Sequence, residues 1–292
     1  IMTRFNIDTC AMLVEFSASQ WTARRLDRNT SDEVVMRKGA AAKDAARVNK
    51  HLLAGRSELE VINQKVGAAR TYVYENTLPW SDSGTRLLPT KRFNEFQSRM
   101  MTFENDFVQS VNEFVTVYPT LITAQAMALG DMFDRSEYPE PHTIARKFGF
   151  YLNYMPVPTA GDFRVDVGNE AQAELQAKLS ALADQRVEAA MQDARDRLKT
   201  HLDRLMKQLH VEVGPDGKER KGKIYDSLIE GGVELCDLLE SLNLTNDPLI
   251  EDARKKLRSV LNGVAIDDLR KHASARTEIR TQVAEIADKF NF

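Results

Sequence analysis

Between Asn169 and about Val211 the chain contains neither proline nor glycine, and no other feature limits its fold as much. Such a stretch reads as one continuous helix, about 60 Å long at a rise of about 1.5 Å per residue. Its apolar positions are Leu175, Leu179, Leu182, Val187, Ala190, Ala194, Leu198, Leu202, Leu205 and Leu209. The mean step, about 3.8 residues, is nearer an eleven-residue repeat than a heptad, so nearly straight or weakly right-handed packing is expected. A helix this long cannot bury its stripe alone; return helices or a second subunit must cover it.

Gly214-Pro215-Asp216-Gly217 then reverses the chain. Ile224, Leu228, Val233, Leu235, Leu238, Leu239 and Leu242 predict a following helix, weakened by Gly231-Gly232. Asp247 caps another, with Pro248 at its first position, where the missing N–H costs nothing. A last helix is expected from Ile266 to Phe290, with Arg276 and Arg280 interrupting its apolar seam. Residues 168–292 thus read as a long antiparallel helical hairpin or coiled-coil bundle. The expected oligomer or helix seam comprises Leu175, Leu179, Leu182, Leu198, Leu202, Leu205 and Leu209, together with Arg276 and Arg280.

The earlier part is mixed, so the chain as a whole is expected to be mainly α. Residues Cys10 to Trp21 alternate, Met12, Val14, Phe16 and Ala18 against Glu15, Ser17 and Ser19, which is the period of a half-buried strand. Phe148 to Val157 alternates again, and Phe163, Val165 and Val167 offer a third strand. Thr30-Ser31-Asp32-Glu33 reads as a capping box opening a helix to Leu53, and Ser57-Glu58-Leu59-Glu60 as a second opening a helix to Asn76. Thr77 to Pro89 reads as a loop. Thr90 starts a helix whose Phe93, Phe96, Phe103, Phe107 and Phe114 form a core stripe. A separate helix is expected after Pro119, and a short one over Thr143–Lys147. An early strand pairing with strands about 130 residues later would close 2–167 into one α+β head with a small antiparallel sheet.

Several functions are disfavoured. The net charge is −3, so any nucleic-acid contact must come from a local patch. No apolar run approaches the roughly 20 residues of a membrane span, and Met2-Thr3-Arg4-Phe5-Asn6 leads into alternating residues, so no secretory leader is expected. Cys10 and Cys236 are expected to be free thiols in a cytoplasmic protein. His51, His142, His201, His210 and His272 fit no metal-ligand spacing, Ser83 has no elbow or neighbouring base, and no phosphate-cradling glycine loop occurs. No catalytic residue, metal or cofactor is therefore expected. Asp193 and Asp196, flanked by Arg195 and Arg197, read as a salt-bridged surface, and Arg254-Lys255-Lys256 with Arg258 as a solvated helix face.

Basic residues beside aromatics are the exception. Trp21 precedes Arg24, Arg25 and Arg28; Trp80 precedes Arg86, Lys91 and Arg92. Stacking plus phosphate contact is how single-stranded nucleic acid is held, although buried tryptophans with ion-paired arginines account for the same residues. Thr-Leu-Pro-Trp (77–80), Ser-Gly-Thr-Arg-Leu-Leu-Pro (83–89), Tyr-Pro (138–139), Phe-x-Phe (148–150), Pro-Val-Pro (156–158) and Asp-Phe-Arg-Val (162–165) occur in this order. They resemble a phage- and prophage-encoded family of unknown function often encoded beside MoxR-type (cobaltochelatase-S-like) AAA+ ATPases. The resemblance covers about residues 10–170 and carries no catalytic residues. It implies a phage protein in the host cytoplasm, with an AAA+ ATPase as its partner or a role in DNA processing. The expectation is a non-enzymatic assembly or adaptor protein that forms a homo-oligomer through its long helices, the alternative being a nucleic-acid-binding protein of phage DNA metabolism.

Overall fold

The computed structural model describes residues 7–42, 44–158, 169–213, 215 and 219–290. The chain is mostly helical (66%) with a small antiparallel sheet. Its contacts group into two compact units: one from Ile1–Glu15, Val73–Phe96 and Asn153–Phe292, the other from Phe16–Tyr72 and Gln97–Leu152. This division differs from the single cut at 167/168 expected from sequence, because strands from the first ninety residues share a core with the C-terminal helices.

The first unit begins with α1 (Ile7–Cys10) and the opening of β1 (Ala11–Ser19). β4 (Leu78–Pro79) and β5 (Arg86–Pro89) form a hairpin in the segment expected to be loop, and β6 (Gly149–Met155) completes the strand order β4-β5-β1-β6. β1 and β5 pair antiparallel from Ala11↔Pro89 to Val14↔Arg86. Gly84, at φ +94°, supplies the left-handed turn residue of the hairpin. β1 and β6 match the alternating segments read from sequence. The strand expected at Phe163–Val167 lies outside the described residues, as do Gly214, Asp216 and Gly217 of the expected reversal.

The long helix forms as α6 (Asn169–Gln208), followed by the ribbon β7 (Val211–Val213) and β8 (Glu219–Lys221). Its return path is not a single arm. α7 (Ser227–Leu242) and α8 (Pro248–Leu261) pack on each other, and α10 (Ala273–Lys289) packs on both α6 and α8. The expected last helix is broken: α9 (Ile266–Lys271) stops at His272, whose backbone is extended at φ −110°, ψ 123°. The break frees the final carbonyls of α9, and the Arg276 guanidinium takes one of them. Leu198, Leu202, Leu205 and Leu209 are buried with Leu228, Leu239, Leu257 and Val283, and Leu13, Leu78, Trp80 and Leu87 belong to the same core.

The second unit holds β2 (Arg24–Asp27), α2 (Arg28–Arg37), β3 (Val48–His51), most of α3 (Glu58–Asn76) and of α4 (Phe93–Leu129), and α5 (Pro141–Ala145). The helix expected over 30–53 ends early. Its cap is Asp27, which accepts from Thr30 N–H at 3.0 Å. Gly39 at φ +63° closes it, with Gly39 N–H on Met36 O and Ala40 N–H on Val35 O, a paired-carbonyl ending that glycine favours. Pro119 sits inside α4 and does not end it. An interior proline costs about 3 kcal/mol. Phe114, Tyr118, Leu121 and Ile122 on both sides of it are buried with Ile62, Val66 and Leu52, and that shared burial keeps the helix continuous.

Candidate functional site: a charged cleft beside a two-stranded ribbon

In the second unit β2 and β3 form an isolated antiparallel ribbon with register Arg24↔His51, Arg25↔Lys50, Leu26↔Asn49 and Asp27↔Val48. Ala23, at φ +50°, turns the chain into β2. A left-handed alanine costs roughly 1–2 kcal/mol, and Ala23 is held there by burial and by its carbonyl, which accepts from Leu52 N–H at 2.7 Å. Cross-strand pairing sets two cations side by side, Arg25 and Lys50, an arrangement that is unfavourable without a counter-charge. Lys50 has one. It is only 8% exposed, its Nζ lies 2.6 Å from Glu137 Oε2, and it donates to Met132 O at 2.8 Å.

The ribbon, the start of α2 and the Asp131–Glu137 segment enclose a cleft of about 1290 Å³. Arg24, Arg25, Arg28 and Lys50 line it, and so do Asp27, Glu33, Asp131, Asp134 and Glu137. Most of the acids are already committed. Asp27 caps α2, and the hydrogen bond from the Thr30 backbone is the main reason its pKa is lowered. Asp134 accepts from the Ser136 hydroxyl at 2.7 Å and its N–H at 2.8 Å, which likewise lowers its pKa. Glu137 holds Lys50. Arg24, Arg25 and Arg28 are exposed and have no ion-pair partner among the described residues. The cleft therefore has a buried ion pair as its base and a rim of three uncommitted arginines. Sequence reasoning found the arginines and missed Lys50, Glu137 and Asp134; the only local trace of that wall is Asp134-Arg135-Ser136, an aspartate two residues before a serine, suited to an Asx turn.

Trp21 is half-buried, its ring 5.7 Å from Tyr118 and 6.4 Å from Phe114, so it anchors the core rather than offering an open stacking face.

The second expected cluster is dispersed into structural roles in the first unit. Trp80 is 5% exposed, with the Arg186 guanidinium 5.4 Å from its ring. Arg86, 9% exposed, turns inward to the end of α3. Its Nε donates to Thr77 Oγ1 at 2.6 Å and its Nη2 to Thr77 O at 3.0 Å and Tyr74 O at 3.4 Å, with the guanidinium 4.4 Å from the Tyr74 ring. Arg197 converges on the same carbonyls: Tyr74 O at 2.9 Å, Thr77 O at 2.8 Å and Glu75 O at 2.6 Å, with Nε on Asp193 at 2.8 Å. Two cations thus satisfy the unpaired C=O groups and negative pole of one helix end. Burial, and then the Arg197 charge, lower the Arg86 pKa. Arg92 donates to Asn76 Oδ1 and Glu95; Lys91 is exposed.

The seam arginines behave alike. Arg276, 2% exposed, donates to Leu269 O at 2.5 Å and Gly222 O at 2.9 Å, and Arg280 donates to Met206 O at 3.2 Å. Backbone carbonyls of the same chain serve both arginines that interrupt the seam. Arg254, expected on a solvated face, is buried and paired with Glu251 and Glu240. The seam leucines divide: Leu198 to Leu209 are buried, whereas Leu175 and Leu179 are half-buried and Leu182 is 40% exposed.

Both cysteines are free, and burial pushes the Cys236 thiol up to about 11. Among the described residues no cluster of three or more His, Cys, Asp or Glu is placed to hold a metal, and no helix is long and apolar enough to cross a membrane. No family model, curated protein or solved structure matches the chain.

Proposed function

We propose that this chain is a non-enzymatic assembly or adaptor protein that self-associates through the N-terminal half of α6 and binds a protein partner. The observation that carries the reading is the contrast along one helix. From Leu198 to Leu209 the stripe is covered by the chain's own helices, while Leu175, Leu179 and Leu182 continue the same stripe with incomplete cover. Burying a leucine fully is worth about 1.5–3 kcal/mol, so a second copy laid along these positions gains several kcal/mol from residues already aligned. The motif resemblance supplies the setting: a phage-encoded protein in a host cytoplasm, with an AAA+ ATPase as the partner.

Light scattering on the eluted protein at micromolar concentration tests the reading. A mass above one chain is expected, falling to one chain in Leu175→Ser/Leu179→Ser/Leu182→Ser with the helical circular dichroism signal kept. A one-chain mass for the unaltered protein overturns it.

A further inference from the structure

His201 puts an ionisable ring into the leucine stripe of α6. Three residues after Leu198 and four before Leu205, it shares the face that packs on α7. The residue is half-buried, but its Nε2 is sealed from solvent and meets no hydrogen-bond partner among the described residues. Gly232 of α7 lies directly opposite. A Cβ on that glycine would stand 2.6 Å from Nε2 and would also run into the Leu261 side chain of α8. The nitrogen therefore rests against the α7 backbone, with no gap for a bridging water at that contact.

The two protonation states fare differently there. A neutral ring leaves Nε2 as an unused acceptor. A charged ring would place an unpaired N–H and a positive charge in the same apolar contact, which costs far more. Burial is the chief influence holding the ring below its ordinary pKa, and the Arg204 charge on α6 adds to it, while the Leu228 backbone opposes them more weakly. No free acid on the packed helices compensates. Glu230 and Glu234 of α7 are exposed, Asp237 is paired with Arg258 of α8, and Arg254 of α8 with Glu251 and Glu240. Above about pH 6.5 the ring is neutral whether packed or released. Below that, the released ring takes a proton and the packed ring does not. The released form gains by up to about tenfold per pH unit, until the packed ring is protonated as well.

We propose that His201 is a proton-operated latch between α6 and α7, whose protonation under mildly acidic conditions releases α7 and opens the core around Cys236. Leu228, Leu239 and Cys236 are buried on the surface that release uncovers. The latch is independent of self-association at Leu175, Leu179 and Leu182, so either can fail without the other.

Labelling of Cys236 with a disulfide reagent in the Cys10→Ser chain tests it, each rate being divided by that of the urea-unfolded chain at the same pH. Cys236 is fully buried, so it reacts only when α7 lifts. The normalised rate is expected to rise several-fold, up to about tenfold per pH unit, between pH 7 and pH 5. It should stay flat in His201→Gln, whose amide carries no titrating charge. Arg204→Gln, at an exposed position, removes a repulsion from the packed ring and should shrink the rise; it serves if His201→Gln does not fold. A flat rate in the unaltered histidine chain, an equal rise in the His201→Gln or Arg204→Gln chains, or an opening constant equal to that of global unfolding in urea at the same pH overturns the proposal.

Discussion

Arg86 and Arg197 share the carbonyls of Tyr74 and Thr77 at the end of α3, and that sharing makes their energetic coupling predictable in sign. A hydrogen bond from a charged donor contributes about 1.5–3 kcal/mol. Arg86→Leu leaves both carbonyls with Arg197, and its main loss is the bond to Thr77 Oγ1, so a cost of about 2 kcal/mol is expected. Arg197→Leu leaves both carbonyls with Arg86 and gives up Glu75 O and a partly exposed pair with Asp193, again about 2 kcal/mol. In the double variant the carbonyls have no donor at all. Each single change also relieves the repulsion between the two cations, a benefit that cannot be gained twice. Both effects have the same sign. The double variant should therefore lose more than the summed singles, by about 1 kcal/mol, within the usual range for contacting residues. Urea denaturation of the four proteins, followed by far-ultraviolet circular dichroism, measures this. Strict additivity, or a double variant milder than the sum, would refute the shared-acceptor account.

The cleft ion pair gives a second expectation. Lys50→Met alone leaves Glu137 without its cation and should cost about 3 kcal/mol, and adding Glu137→Leu should recover most of it; a double variant no better than the single one would count against a buried pair. In α7 the two glycines should respond oppositely. Nothing lies within 4 Å of a Cβ at Gly231, so Gly231→Ala should stabilise by about 0.5–1 kcal/mol. At Gly232 the added Cβ would meet His201 Nε2 at 2.6 Å and the Leu261 side chain, so Gly232→Ala should destabilise by about 1–3 kcal/mol; thermal melts that move in the same direction would refute this. Glu251 is held at about 2, chiefly by its hydrogen bond from Arg254. A depressed carboxyl stabilises the fold above its unfolded pKa and loses that contribution as pH falls through the folded one. Glu251→Gln should therefore flatten the fall in melting temperature between about pH 5 and pH 2, and an unchanged slope would contradict the pairing.

The periodic segments were legible. Alternation gave β1 and β6, absence of breakers gave α6, and Asp247-Pro248 gave the start of α8. Failures arose where tertiary contacts outweighed local signals. Pro119 should have ended a helix, but the apolar residues around it are buried in one core. His272 carries no breaking signal, and the helix stops there with Leu269 O bound by Arg276 from the next helix.

 That carbonyl, Leu269 O, is available only because the helix ends. The close of α2 was readable in principle from Lys38-Gly39, but the alanines that follow it imitate continued helix. The candidate site was half legible. Arg24, Arg25 and Arg28 stand out as a cluster, but their acidic wall comes from about a hundred residues away. Arg86 and Arg92 carry the same local signature as ligand-binding arginines, and a sequence does not say whether an arginine serves a ligand or the end of a neighbouring helix.

The core of the first unit contains Ala11 and Leu13 as well as Val283, Ile286 and Phe290. During synthesis its earliest strand is made long before α10, so this core closes only after residues 283–290 have been made. Until then Leu13, Leu78 and Leu87 lack their final cover, and partly made chains expose apolar surface of the kind that aggregates or recruits chaperones. A fragment cut at residue 168 is in the same position permanently: the C-terminal helices keep one another but lose the strands that cap their core.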